Sequence, residues 1–254
     1  MTEKVLDRVG SRPVGVLGTG AMGIAFQLED GRVLKLTRDH DELEAAQALM
    51  SKSHPNMVRF YDVFIARNGI GTGVIVRGSV DMNVASLARE NAAFLPLAKA
   101  LLTATRRASD LFYPARVPAS QGGWGAPGST IEPLDVNRKN LKLAMGVWVD
   151  TLKNATLKDD FGGDSPSLAH KYKNDAIAGA MFLRKCGVYG FDFHAGNVGI
   201  VAEDGVTRGV IYDIGLTSSR ARRGIDAERV TLTDILPAFG RMVPKKNPIP
   251  EVRA

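Results

Sequence analysis

The chain has a single cysteine, Cys186, and four histidines in 254 residues, and each scarcity removes a class of protein. One thiol closes no intrachain disulfide, so packing has to hold the fold and a reducing cytoplasm is the expected setting. The histidines are scattered and none stands at His-x-x-x-His spacing, which with a lone cysteine leaves no zinc ligand set. Gly, Lys or Asp interrupts every apolar run well short of the ~20 residues that a membrane-spanning helix needs. The opening MTEKVLDRVGSRPVG has no apolar core of the kind a secretory signal carries. Gly-x-x-x-x-Gly-Lys-Ser/Thr is absent too, which excludes a P-loop.

What is present describes a folded protein of one large domain or two lobes: 44% of residues are hydrophobic and 24% charged. The formal charge of +6, from 33 Lys and Arg against 27 Asp and Glu, is mostly local. Arg220, Arg222, Arg223, Arg229, Arg241, Lys245, Lys246 and Arg253 lie beyond Leu216, and the rest of the chain is nearly balanced. A basic segment of this kind is either a solvated surface or a contact for nucleic acid or an acidic partner.

The first part of the chain reads mainly as strands. Residues 14 to 28 and 33 to 37 flank Glu29-Asp30-Gly31-Arg32, a strong hairpin signal. The period then changes: Asp39 or Asp41 can cap a helix over roughly 41 to 52, and His54-Pro55-Asn56 stops it. Met57 to Ala66 and Gly71 to Arg77 read as two more strands, joined by an Asn68-Gly69 turn. Beyond Gly78, Ala and Leu at three- and four-residue spacing predict helices at 83 to 94, 96 to 112, 139 to 157 and 167 to 186. Gln121 to Ser129, rich in glycine around Trp124, reads as a loop that either connects or clamps a substrate. A second hairpin, 198 to 202 with 209 to 212, turns at Glu203-Asp204-Gly205.

Three clusters carry chemistry. Gly18-Thr19-Gly20-Ala21-Met22-Gly23 fits Gly-x-Gly-x-x-Gly, and a strand follows it, where a dinucleotide-binding fold needs a helix. Lys35 lies in the return strand among apolar neighbours, where an ammonium calls for a partner. Glu44 on the next helix can supply one, and Glu42 is the adjacent alternative. Phe191-Asp192-Phe193-His194-Ala195-Gly196-Asn197 places a carboxylate and a carboxamide in a loop between helix and strand. After the hairpin, Asp213-Ile214-Gly215 puts another acid at the end of an apolar strand. A base, a carboxamide, a second carboxylate and a divalent cation suffice for phosphoryl transfer, which depends on positioning and charge stabilisation.

In these residues, taken in order, the chain resembles the protein kinase-like superfamily over nearly its whole length. The resemblance implies an α+β, bilobal fold. Residues 1–78 would form a small β-rich nucleotide-binding lobe with one main helix, and 79–254 a shortened, mainly helical catalytic lobe carrying a β-hairpin. It implies ATP and Mg²⁺ as cofactors. Leu17, Gly18, Gly20, Gly23, Ala25 and Lys35 would bind nucleotide, Glu44 would orient Lys35, Asp192 would be the catalytic aspartate, and Asn197 and Asp213 would hold metal. His54-Pro55-Asn56-Met57-Val58 is similar to the His-Pro-Asn segment that follows the glutamate-bearing helix in protein kinases.

The Asp-x-His-x-Gly-Asn loop is shared by aminoglycoside-type phosphotransferases and by the small serine/threonine kinases of T7-like bacteriophages. His194 stands where many protein kinases carry a lysine near the transferring phosphate. Protein substrates in a cytoplasm follow from the phage-like reading, including host proteins if the chain is phage-encoded. A small-molecule kinase and a pseudokinase binding module are the alternatives. Gly190 and Phe191 replace the His and Arg of His-Arg-Asp, so control by an arginine that reads a phosphorylated activation loop is not expected. No Ala-Pro-Glu follows Asp213. Gly199 takes the place of the bulky residue under adenine.

Overall fold

The computed structural model describes residues 2–20, 23–66, 72–112, 138–157 and 165–215. The Asn68-Gly69 turn, the Gln121–Ser129 loop and the basic segment beyond Leu216 lie outside them. The architecture is α+β and its named strand pairs are antiparallel.

Five strands form the first sheet: β1 (Pro13–Gly20), β2 (Gly23–Leu28), β3 (Val33–Thr37), β4 (Phe60–Ala66) and β5 (Thr72–Arg77), in the order β1-β2-β3-β5-β4. Alternation decides which face each side chain takes. Phe26, Leu34, Leu36, Val74 and Val76 are buried on one face under helix α1 (Thr2–Val9), which contributes Val5 and Val9. Arg8 fastens that helix by two bonds to the Asp62 carboxylate, at 2.7 and 2.8 Å, and lies 3.9 Å from the centre of the Phe64 ring. The other face carries Ala25, Lys35 and Ile75 in register, with Val63 beside Ile75. Helix α2 (His40–Leu49) packs on β4 and β5, burying Leu43, Ala45, Ala46 and Leu49.

The chain then continues through β6 (Met82–Asn83), α3 (Val84–Glu90), a short 3₁₀ turn (Ala92–Phe94) and α4 (Leu95–Ser109). Helices α5 (Arg138–Lys153) and α6 (Ser165–Lys185) follow. A second sheet joins β6 to the hairpin of β7 (Val198–Glu203) and β8 (Val206–Ile211). Asp204 and Gly205 both take positive φ, 52° and 74°, which is the two-residue turn that matches strand twist. Leu97, Leu101, Ala104 and Ala108 of α4 face Leu141, Ala144, Met145 and Trp148 of α5, at the spacing that marks a buried helical stripe. Trp148 meets the edge of Phe193 at 5.4 Å, and Phe112 stacks on Phe191 at 5.1 Å.

Sequence and structure differ at a few boundaries. The strand expected from Met57 begins at Phe60, because Met57 and Val58 pair instead with β8: Met57 bridges Ile211, and the Val58 N–H donates to the Ile211 carbonyl at 3.2 Å. Asn56 completes this seam. Its carbonyl accepts from the Ile211 N–H at 3.0 Å and its Nδ2 donates to the Gly209 carbonyl at 3.1 Å. The helix expected over 83 to 94 divides at Asn91, whose side chain caps the 3₁₀ turn.

Candidate active site

Lys35 has buried neighbours, Leu34 and Leu36, on the opposite face of the sheet, so its own side chain is turned toward α2. There its ammonium meets Glu42 Oε1 at 2.6 Å and both oxygens of Asp213 at 3.2 Å. The second Glu42 oxygen accepts from the Thr37 hydroxyl at 3.0 Å, and that hydroxyl oxygen accepts from the Asp39 N–H at 3.0 Å. Asp39 in turn caps α2, accepting from Asp41 N–H and Glu42 N–H at 3.0 and 3.1 Å. The result is a capping box with a threonine hydroxyl inserted between the glutamate and the backbone of the cap.

Helical phase therefore corrects the assignment of the lysine's partner. With Asp39 at the cap, Glu42 is the third residue of the helix and points back along the strand. Glu44 lies two residues further on, about 200° around the axis, and cannot face the same lysine. The carboxylate at Lys35 is that of Glu42.

The electrostatics follow from burial and proximity. Burial pulls the Lys35 ammonium down, but Glu42 and Asp213 together outweigh it, and its pKa is raised. Burial pushes Glu42 up, with Lys35 opposing and Asp213 adding to the rise. Asp213 goes the other way: burial acts to raise it, while Lys35, the Gly215 N–H and Arg77 overcome that and hold the carboxyl below its ordinary value. The Gly215 N–H donates to Asp213 Oδ1 at 3.1 Å.

The loop from Phe191 to Asn197 is built on two anchors. Phe191 and Phe193 are buried in the helical core, so Asp192 between them is turned to the partly exposed side. Asn197 Nδ2 donates to the Asp192 carbonyl at 2.7 Å, which leaves its amide oxygen available as an acceptor. His194 Nδ1 accepts from the Gly196 N–H at 2.9 Å, so the neutral ring carries its proton on Nε2, 3.8 Å from Asp192 Oδ1. Burial raises the Asp192 pKa; His194 opposes the rise and Asp213 adds to it.

At the glycine-rich segment, β1 and β2 pair as far as Gly20 opposite Gly23, with Gly18 opposite Ala25 after a register shift. A Cβ on Gly23 would lie 2.1 Å from the Leu36 carbonyl oxygen, so the close strand approach there admits only glycine. Ala25 is the direct cross-strand partner of Lys35, while Leu17 is exposed at the shift. Ala21 and Met22 lie outside the described residues.

Two site residues escaped the sequence reading. Arg77, at the end of β5, is buried with its guanidinium 5.0 Å from the centre of the Tyr212 ring, and it donates to the Gly78 carbonyl at 2.9 Å. Burial pulls its pKa down against the pull of Asp213, Tyr212 and Glu42. Tyr212 donates its hydroxyl to the Gly196 carbonyl and its N–H to the Asn197 carbonyl, the latter at 3.2 Å. The available signal was a lone arginine closing the apolar strand Thr72–Arg77. Gly199 also has a packing reason: a Cβ there would lie 2.7 Å from Val80 Cγ1 and 3.0 Å from Tyr212 Cδ1, so these side chains already occupy the space.

Among the described residues no group of three or more His, Cys, Asp or Glu is placed to hold a metal ion by itself. The Asp213 carboxylate and the Asn197 amide oxygen are nevertheless hard ligands of the kind Mg²⁺ takes when phosphate oxygens and water complete its shell. No helix among these residues is long and apolar enough to cross a membrane. No protein-family model and no curated protein matches the chain.

Proposed function

We propose that the chain is an ATP- and Mg²⁺-dependent phosphotransferase of kinase-like, bilobal build that transfers the γ-phosphate of ATP to a serine or threonine hydroxyl of a protein. One observation carries this reading: a partly buried ion triad in which Lys35 is shared by Glu42 and by Asp213, a residue 178 positions away, beside the Asp192–Asn197 loop.

In this reading Lys35 binds the phosphates of the nucleotide and Glu42 keeps its ammonium aimed. Asp213 and Asn197 hold the cation, which when bound neutralises the charge of the phosphate oxygens. Asp192 orients the acceptor hydroxyl and accepts its proton as the new O–P bond forms and the bond from the γ-phosphorus to the bridging oxygen breaks. The raised pKa of Asp192 brings it nearer to the range useful for a base. His194 presents its Nε2 proton on the same side as the Asp192 carboxylate. Cytoplasmic protein substrates are proposed from the phage-like loop, and host proteins are included if the chain is phage-encoded. The basic segment beyond Leu216 would meet acidic partners or nucleic acid.

The test is transfer of label from γ-labelled ATP with Mg²⁺ to proteins of a cell extract and to a panel of small alcohols, with Asp192→Ala alongside. Protein label that vanishes in the variant supports the reading. Label on small molecules alone moves the assignment to a small-molecule kinase. Nucleotide binding without any transfer marks a pseudokinase.

A further inference from the structure

A cavity of about 370 Å³ opens between the Ser53–Arg59 segment and the β7–β8 hairpin, and none of Lys35, Asp192, Asn197 or Asp213 lines it. Its volume falls in the range of small-molecule sites. Its walls divide by chemistry. Met57, Val58 and Val210 supply a buried apolar floor, and the polar groups around it are mostly donors.

Arg59 is exposed there, with its guanidinium 5.3 Å from the centre of the Tyr61 ring. His54 stacks on Phe182 at 4.7 Å and accepts at Nδ1 from the Asn56 N–H at 3.2 Å, so Nε2 carries the proton of the neutral ring. Burial lowers the His54 pKa, which favours that neutral form. Arg208 is bound to Glu203, the one carboxylate of the lining among the described residues. Glu203 is 59% exposed, and an ion pair in that position holds its arginine only weakly. Two guanidiniums and serine hydroxyls against a single acid make a lining suited to an acceptor-rich anion. A phosphate, with oxygens for two forked cations at once, answers it better than a carboxylate.

We propose that this cavity is a binding site for a small phosphate monoester carrying an apolar ring, with the phosphate between Arg59 and Arg208 and the ring over Met57 and Val210. The site is separate from the Lys35 triad and does not depend on the phosphotransferase reading. Arg208 and Val210 lie on β8, and Asp213 follows two residues after the strand ends at Ile211.

Phenyl phosphate titrated into the ¹⁵N-labelled full chain tests the proposal. Saturable amide shifts are expected at Gly78, Ser79 and Val210, and phenol should produce none. Arg59→Gln, an exposed change that leaves the core intact, should weaken binding about tenfold, as should Arg208→Gln, the equivalent of one charge-assisted hydrogen bond. Lys35→Ala should leave the affinity unchanged. The proposal is overturned by an absence of saturable shifts at those amides, by an equal response to phenol, by unchanged affinity in both arginine variants, or by loss of binding in Lys35→Ala while its amide spectrum remains that of the folded chain, which would put the anion at the triad.

Discussion

Replacing Glu42 with glutamine keeps its shape and its capacity to accept from the Thr37 hydroxyl, but removes the charge that lies 2.6 Å from the Lys35 ammonium. Breaking a buried pair by neutralising one partner typically costs about 3–5 kcal/mol, because the remaining charge is left without compensation. Lys35 retains Asp213 at 3.2 Å, so about half of that range applies, roughly 2 kcal/mol. For a chain of this size that corresponds to a fall in melting temperature of about 4–8 °C. Glu44→Gln is the control, since the same chemical change two residues along leaves both carboxylates at Lys35 in place and should lower the melting temperature less than Glu42→Gln. Thermal denaturation of both variants gives the comparison, and titration with ATP and Mg²⁺ extends it, with affinity falling only in Glu42→Gln if the ammonium is no longer aimed. Equal melting temperatures and equal nucleotide affinities in the two variants would refute the triad.

Three further expectations are independent of that one. Tyr212→Phe removes the hydroxyl bond to the Gly196 carbonyl and, under the proposed phosphotransferase function, should slow transfer by about tenfold with the KM for ATP nearly unchanged, which steady-state kinetics can separate. Gly199→Leu forces a side chain into Val80 and Tyr212 and should destabilise by about 1–3 kcal/mol in urea denaturation; a neutral outcome would mean that the space above Gly199 is open. The Asp62 pKa is lowered by its hydrogen bond to Arg8, so its contribution to stability is complete above the unfolded carboxylate pKa and is lost as pH falls through the depressed folded value. Asp62→Asn should therefore flatten the acid limb of the stability curve by no more than about 1 kcal/mol and expose α1 to proteolysis at neutral pH.

The strands of the first sheet and the β7–β8 hairpin were legible because alternation and Asp-Gly turns act locally. Helices α4, α5 and α6 were legible because their Ala and Leu stripes persist over several turns. Helix α1 was not: its eight residues carry only Val5, Leu6 and Val9 as apolar side chains, and its place is secured by contacts with Phe64 and Asp62, far along the chain. The uncertainty at the lysine's partner had the same origin as the uncertainty at the cap. A cap at Asp41 would have made Glu44 the third residue of the helix, whereas a cap at Asp39 makes it Glu42, and Thr37 decides the matter by binding both the Asp39 N–H and Glu42. Arg77 and Tyr212 were invisible for a related reason, because each finds its role only when β5 and the end of β8 are brought together.

The seam at Asn56, Met57 and Val58 has a consequence for the time order of synthesis. In its other half Gly209 follows Asn56 by 153 residues, and Asp213 follows Lys35 by 178 residues. At ribosomal speeds of about 5–20 residues per second, the ammonium of Lys35 waits roughly 9–36 s for its second carboxylate. During that interval the first sheet and α2 have only Glu42 to neutralise a lysine destined for burial. The nascent chain can fold in pieces, but the triad closes only after Asp213 has been made.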